Sequence, residues 1–284
     1  VRVRDLTGAR ALSLGNRTSC ALTNEGRVMC WGNGDTFNGK VTSEPATAAP
    51  ARLDDAVIDG VAQVTVGEFH VCLRMESGQL VCSSDRNFTT RGMRSYERVV
   101  LPEVPDAVDL CSGYMQACAV RANGDVWCWG DPHGKTSHIG AVEPPGVRIA
   151  LPGPARKVTC GKSSSCALLA SRQVVCWGEQ YDSDPNKPVA MSTPLALDVA
   201  SSLTGTCISH DQGIACWQHW PGTPGSPAAV PRLGPVSGLT VGAGFACALA
   251  NGQVYCWGEN DRGQIGTGTG ERRVDSPVRV LIPQ

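Results

Sequence analysis

Twelve of the 14 cysteines in this 284-residue chain fall into six pairs of nearly constant separation. The pairs are Cys20 with Cys30, Cys72 with Cys82, Cys118 with Cys128, Cys166 with Cys176, Cys207 with Cys216 and Cys247 with Cys256, ten residues apart in the first four and nine in the last two. The surrounding text repeats with them. Cys-Ala-Leu opens the unit at Cys20, Cys166 and Cys247, and Cys-Trp-Gly closes it at Cys30, Cys128, Cys176 and Cys256. A glycine stands five residues before the first cysteine at Gly15, Gly67, Gly113, Gly161 and Gly242, and Ser202 takes that place in the fifth unit. The second unit has Ser83-Ser84 in place of Trp-Gly, and the fifth has Trp217-Gln218. A fixed period of this size describes one small folding unit packed on copies of itself.

Each unit reads as antiparallel strands. A short alternating run precedes the glycine, as in Val64-Thr65-Val66 and Leu239-Thr240-Val241. Between the cysteines lies a turn: Asn24-Glu25-Gly26, Glu76-Ser77-Gly78, Asn123-Gly124 or Asn251-Gly252. Asn-Gly between apolar runs signals a hairpin, since both turn positions favour positive φ. A fourth strand follows a longer loop, at Arg98–Leu101 and Pro277–Val280. No segment sustains a helical period, so an all-β chain is expected.

Hairpin arithmetic ties the cysteines together. A two-residue turn at Asn251-Gly252 sets Cys247 opposite Cys256, and a three-residue turn at Asn24–Gly26 sets Cys20 opposite Cys30. Directly opposed strand residues are within disulfide reach. The reading is six cross-strand disulfides; the alternative is reduced thiols buried as small apolar residues. Zinc is not expected, because a hairpin supplies two ligands and no Cys-x-x-Cys knuckle occurs. Disulfides place the chain in an oxidising compartment, extracellular or at the cell surface. The net charge of −1 argues against a nucleic-acid partner, and no apolar run is long enough to span a membrane as a helix.

The fullest unit runs from Gly242 to Gly266 and ends Trp257-Gly258-Glu259-Asn260-Asp261-Arg262-Gly263-Gln264-Ile265-Gly266. It resembles the regulator-of-chromosome-condensation repeat, and the resemblance extends over the whole chain. It implies one β-propeller domain over residues 1–284, with six blades of four antiparallel strands. A seven-bladed ring with one blade incomplete or outside these residues is the alternative, seven being the family's usual number. Val1-Arg2-Val3 echoes Val278-Arg279-Val280, so either end could complete a shared blade. The paired cysteines resemble those of extracellular bacterial members. Cys111 and Cys160 fall in the first strands of adjacent units and point to opposite faces of their blades, so a Cys111–Cys160 disulfide between blades is expected.

Strand alternation puts the turn between the first two strands and the long loop between the last two on one face. Variable loops on a rigid scaffold are where binding concentrates. Phe69, Tyr114, Met115 and Phe245 fall at the turns, and Phe37, Phe88, Tyr96, Tyr181 and Trp220 in the long loops. Arg17 and Arg94 accompany them. Aromatic anchors with arginine compose a protein-binding surface, and the resemblance implies the same use of one propeller face. The expected function is a monomeric module that binds or inhibits another protein, with a glycan or small ligand as the alternative partner. An extracellular hydrolase is the weaker third reading. No catalytic residue, metal site or cofactor is expected. His133 and His138 share a Gly/Lys/Ser-containing loop, and Asp182-x-Asp184-x-Asn186 opens like a calcium loop but has Lys187 where the glycine belongs. The repeated tryptophans Trp31, Trp129, Trp177, Trp217 and Trp257 read as packing between blades rather than as a light-absorbing cluster.

Overall fold

Alternating apolar residues between glycine turns produce short strands that pair with their neighbours in sequence. The computed structural model describes residues 3, 5–15, 18–32, 49–50, 52–53, 56–68, 70–85, 96–114, 116–130, 146–179, 181–220, 223–224, 227–230, 233–268 and 270–280. Among them are six main antiparallel sheets, five of four strands and the fifth in chain order of five because Thr223–Pro224 also pairs in it, a two-stranded ribbon of Arg52–Leu53 with Ala56–Val57, and no helix. We number the sheets one to six and letter their strands A to D in chain order. The A strands are Ala9–Leu14, Val61–Val66, Ala107–Ser112, Ala155–Cys160, Ala196–Ser201 and Gly238–Val241. The B strands are Thr18–Thr23, His70–Met75, Gln116–Arg121, Ser164–Leu169, Gly205–His210 and Phe245–Ala250. The C strands are Val28–Gly32, Leu80–Asp85, Val126–Gly130, Val174–Gly178, Gly213–Trp220 and Gln253–Glu259. The D strands are Ala49–Pro50, Tyr96–Val100, Val147–Ile149, Val189–Ala190, Ala228–Val230 and Arg273–Arg279. These sheets are the blades of a six-bladed β-propeller. Two compact units, Val1–Ala150 and Leu151–Gln284, hold three sheets each.

No described sheet mixes strands from the two ends of the chain. Strand D of sheet six comes from Arg273–Arg279, while Val3 lies outside any strand. Val1 and Arg2, which carry the echo between the two termini, lie outside the described residues.

The cysteine register matches the hairpin arithmetic. Each pair is directly opposed across strands B and C. Cys20 is bonded to Cys30, Cys72 to Cys82, Cys118 to Cys128, Cys166 to Cys176, Cys207 to Cys216 and Cys247 to Cys256, with Cα atoms 4.0–4.1 Å apart. The placement is the same in the two units that depart from Cys-Trp-Gly. Cys82 is fully buried in strand C of sheet two although Ser83 and Ser84 follow it, and Cys216 is half-buried in strand C of sheet five. Turn length sets the register, so it survives the loss of the Trp-Gly text. Cys111 and Cys160 are disulfide-bonded as well, and no described cysteine is free. In five sheets strand A carries a bulge between its first and third residues, for example Val61 to Gln63.

Strand B is largely buried, most completely at Ser164–Leu169, whereas Leu249 in strand B of sheet six is exposed. Within the first unit, Cys20, Leu22 and Val28 of sheet one form a core with Val61, Val64 and Val66 of sheet two. Sheets two and three share another core around Cys72, Leu80, Cys82, Leu110 and Trp129. Within the second unit, Trp217 joins sheet five to Cys166 and Leu168 of sheet four. Trp257 likewise joins sheet six to Cys207 and Ile214 of sheet five, and Cys216 packs against that core. These tryptophans are packing elements.

The hairpin ends of the sheets are tied by backbone bonds to the next sheet. Val61 N donates to Gly26 O, Ala107 N to Gly78 O and Ala196 N to Arg172 O, at 2.8–3.0 Å. Ion pairs reinforce this end. Arg121 pairs with Asp106 at 2.7 Å and Arg148 with Asp125 at 2.8 Å. Their hydrogen bonds hold both carboxyls below the usual carboxylate range. Both pairs are solvent-screened and add little stability.

Candidate functional site

At the opposite end of the sheets the repeat glycine sets the geometry. In every sheet the residue at that place donates its N–H to the carbonyl three residues on. The bonds are Gly15 to Thr18, Gly67 to His70, Gly113 to Gln116, Gly161 to Ser164, Ser202 to Gly205 and Gly242 to Phe245, all 2.7–2.9 Å. Six A–B turns are thus closed by the same backbone hydrogen bond. Glycine is required for tertiary reasons at several of them. A Cβ on Gly15 would sit 2.6 Å from Gly67 O, and one on Gly67 would sit 2.5 Å from Gly113 O. Successive turns in the first unit therefore stack backbone against backbone. In the second unit a Cβ on Gly161 would meet Ser202 O at 2.7 Å.

The Trp-Gly glycines belong to the same end. Gly178 lies under Ser163 O, and Gly258, at φ 110°, lies under Gly244 O. Glu259 N donates to Gly244 O at 2.9 Å. Strand C thus leaves its sheet directly beneath the A–B turn, so the C–D loops emerge beside these turns.

The two residues after the repeat glycine form each turn's tip, and they vary from sheet to sheet. Tyr114 is one of them and is partly exposed. Phe245 is also partly exposed but opens strand B rather than occupying a tip. Its ring lies over Gly242. Phe69, Met115, Phe37, Phe88, Arg17 and Arg94 lie outside the described residues, as do His133 and His138. Tyr96 begins strand D of sheet two and Trp220 ends strand C of sheet five, so the backbone places both at strand ends rather than within loops. The register also sets Glu68, Lys162, Leu203 and Thr204 at tip positions. A search for aromatics passes over these four, although the repeat glycine marks their places equally well.

Tyr181 turns inward. It packs against the core shared by sheets four and five and accepts a 3.1 Å hydrogen bond from Trp217 Nε1. Burial pushes its phenol up to about 12, against the opposing effect of that bond. The neighbouring Asp182 takes a 2.7 Å ion pair from Lys187 Nζ, so the ammonium fills the place a cation would need. Asp182 and Asp184 also cap the loop's own N–H groups, of Asp184 and Asn186. His70 is fully buried at the start of strand B in sheet two. Burial lowers its pKa to about 4, opposed by a hydrogen bond with the Gln116 backbone.

A six-bladed, disulfide-stapled β-propeller whose sheets each carry an A–B turn with a variable tip is the class this chain defines. The regulator of chromosome condensation (RCC1) repeat is matched at residues 9–39 and 236–264, and a second RCC1-repeat description is matched at residues 251–284. RCC1 repeats are thus matched over the first and last sheets.

Solved structures show the same fold. Human WBSCR16 is 18% identical, with a TM-score of 0.79 over 98% of this chain and 83% of that one. Yeast RCC1 (Prp20), solved bound to Kap60, is 17% identical, with a TM-score of 0.76 over 98% of this chain and 76% of that one. The CRINKLY ectodomain of the Arabidopsis thaliana receptor kinase ACR4 is 20% identical, with a TM-score of 0.56 over 88% of this chain and 79% of that one.

Proposed function

We propose that this propeller is a secreted or cell-surface module that binds another protein through the face carrying the A–B turns and C–D loops. The observation that carries the reading is the set of six turns closed by one and the same backbone hydrogen bond but carrying different tips. Turns closed by a backbone bond lose little conformational freedom on association. Protein binding is also what the titles of related structures describe: yeast RCC1 (Prp20) with Kap60, and Prp20p with Gsp1p and histones. The absence of free thiols among the described cysteines supports an oxidising location, and the ACR4 relative is an ectodomain.

The test is capture from extracellular and envelope fractions with three baits: the wild-type chain, Tyr114→Ala with Glu68→Lys, and Leu195→Ala. Leu195 is exposed and lies next to the hairpin-end contact that Arg172 makes with it. A protein held by the wild type should bind the double variant at least about tenfold more weakly and the Leu195 variant equally well. Equal binding by all three, or loss only with Leu195→Ala, would refute the face assignment.

A further inference from the structure

The tripeptide Ala-Asn-Gly occurs in two B–C hairpins, as Ala122-Asn123-Gly124 in sheet three and as Ala250-Asn251-Gly252 in sheet six. Asn-Gly is prone to spontaneous loss of the side-chain amide, because no side chain on the glycine shields its backbone nitrogen. The local sequence is the same at both sites. The hydrogen bonding is not.

In sheet three the reacting groups are held. Gly124 N, the attacking atom, donates to Arg121 O at 2.9 Å. Asn123 Oδ1 accepts from Asp125 N, and Asn123 Nδ2 donates to Asp125 Oδ2, both at 3.0 Å. Arg148 fixes the Asp125 carboxylate in turn, at 2.8 Å. Swinging the amide carbon of Asn123 onto the glycine nitrogen breaks all three bonds.

In sheet six the hairpin is one residue shorter, its cysteines nine apart rather than ten. Asn251 and Gly252 take φ 49° and 72°, and strand pairing closes directly at Ala250 and Gln253. Among the described residues, neither Gly252 N nor the Asn251 side chain makes a hydrogen bond. Asn251 is exposed. The bonds that hold Asn123 and Gly124 lie inside one hairpin, so the contrast does not depend on how the sheets are arranged.

We propose that Asn251 is a site of spontaneous deamidation and that Asn123 is protected from it. Gly252 N gives up its proton to water or hydroxide and bonds to Asn251 Cγ. The Cγ–Nδ2 bond breaks and ammonia leaves. Water then opens the five-membered succinimide at either carbonyl, giving aspartate or isoaspartate. Both products place a carboxylate on the hairpin, and isoaspartate routes the main chain through the side-chain methylene, lengthening a two-residue turn. The Cys247–Cys256 disulfide, three residue pairs along, confines the change to the turn.

Peptide mapping by mass spectrometry of the chain aged in mildly alkaline buffer tests this. The folded chain should lose the Asn251 amide at least about tenfold faster than the Asn123 amide, since three hydrogen bonds must first break at Asn123. The same chain, reduced and unfolded in guanidinium chloride, should lose both at similar rates. Equal rates in the folded chain, or faster loss at Asn123, overturn the proposal. An equal disparity in the unfolded chain overturns it too, by assigning the difference to sequence. Asp125→Ala removes one of the three bonds and should speed loss at Asn123 while leaving Asn251 unchanged; no acceleration would contradict the protection.

Discussion

At the scale of single residues, the turns show where backbone freedom is needed. The B–C turns use a left-handed residue at Gly26, Gly78 and Gly124, and Arg172 takes the same conformation at φ 70°. A non-glycine residue there is strained by about 1–2 kcal/mol. Its side chain offsets this through bonds to Leu195 O, Ala196 O and Asp211. Arg172→Ala loses the bonds and keeps the strain, whereas Arg172→Gly loses the bonds and relieves it. Urea denaturation should place the alanine variant about 1 kcal/mol below the glycine variant. Gly67→Ala faces a backbone carbonyl that cannot move freely and should cost roughly 1–3 kcal/mol. Gly153→Ala, in open space, should be near neutral.

His70 makes a pH prediction. The buried imidazole stays neutral down to about pH 4, while an unfolded chain takes up the proton near 6.5. Its contribution to stability is therefore full above pH 6.5 and is lost as the pH falls toward 4, by about 3 kcal/mol. Gln116 occupies the same register place in sheet three, so His70→Gln fits the site without titrating. The urea midpoint of His70→Gln should fall less between pH 7 and pH 4.5 than that of the wild type. An equal fall would show that other groups carry the acid sensitivity.

At the scale of elements, each blade is held by a hairpin, a disulfide and a core shared with a neighbouring sheet. Closing a loop of about ten residues stabilises by roughly 2–3 kcal/mol in the chain-entropy description. Cys118→Ala with Cys128→Ala should lower the thermal midpoint accordingly, and an unchanged midpoint would show that packing alone carries the blade. The cysteine register was readable in the sequence because turn length and strand period are local and together fix which residues oppose. The strand A bulges were not readable. Ala9-Arg10-Ala11 carries no glycine or other sign that pairing skips a residue. The reason for the repeat glycine was hidden for a similar cause, since the obstructing carbonyl at Gly67 belongs to the next sheet. Tyr181 looked like any loop aromatic. Only the fold brings Trp217, 36 residues away, to its hydroxyl. Trp217→Phe removes that bond, at a cost of roughly 0.5–1.5 kcal/mol visible in chemical denaturation.

At the scale of the whole molecule, six copies of one unit place equivalent turns at one end of every sheet and hairpins at the other. In sheets one, two and four the hairpin end is tied to the next sheet by backbone bonds, whereas the turn end varies at its tips. The aromatic pattern pointed to that end. The turn geometry extends the candidate surface to Glu68, Lys162, Leu203 and Thr204, which composition alone did not single out. Hydrogen–deuterium exchange on the complex with a captured partner tests the assignment most directly. Binding should slow exchange at residues 67–68, 113–114, 161–164, 202–205 and 242–245 and leave the hairpins at 76–78, 122–124 and 251–252 unchanged. Slowed exchange at the hairpins with unaltered turns would contradict it.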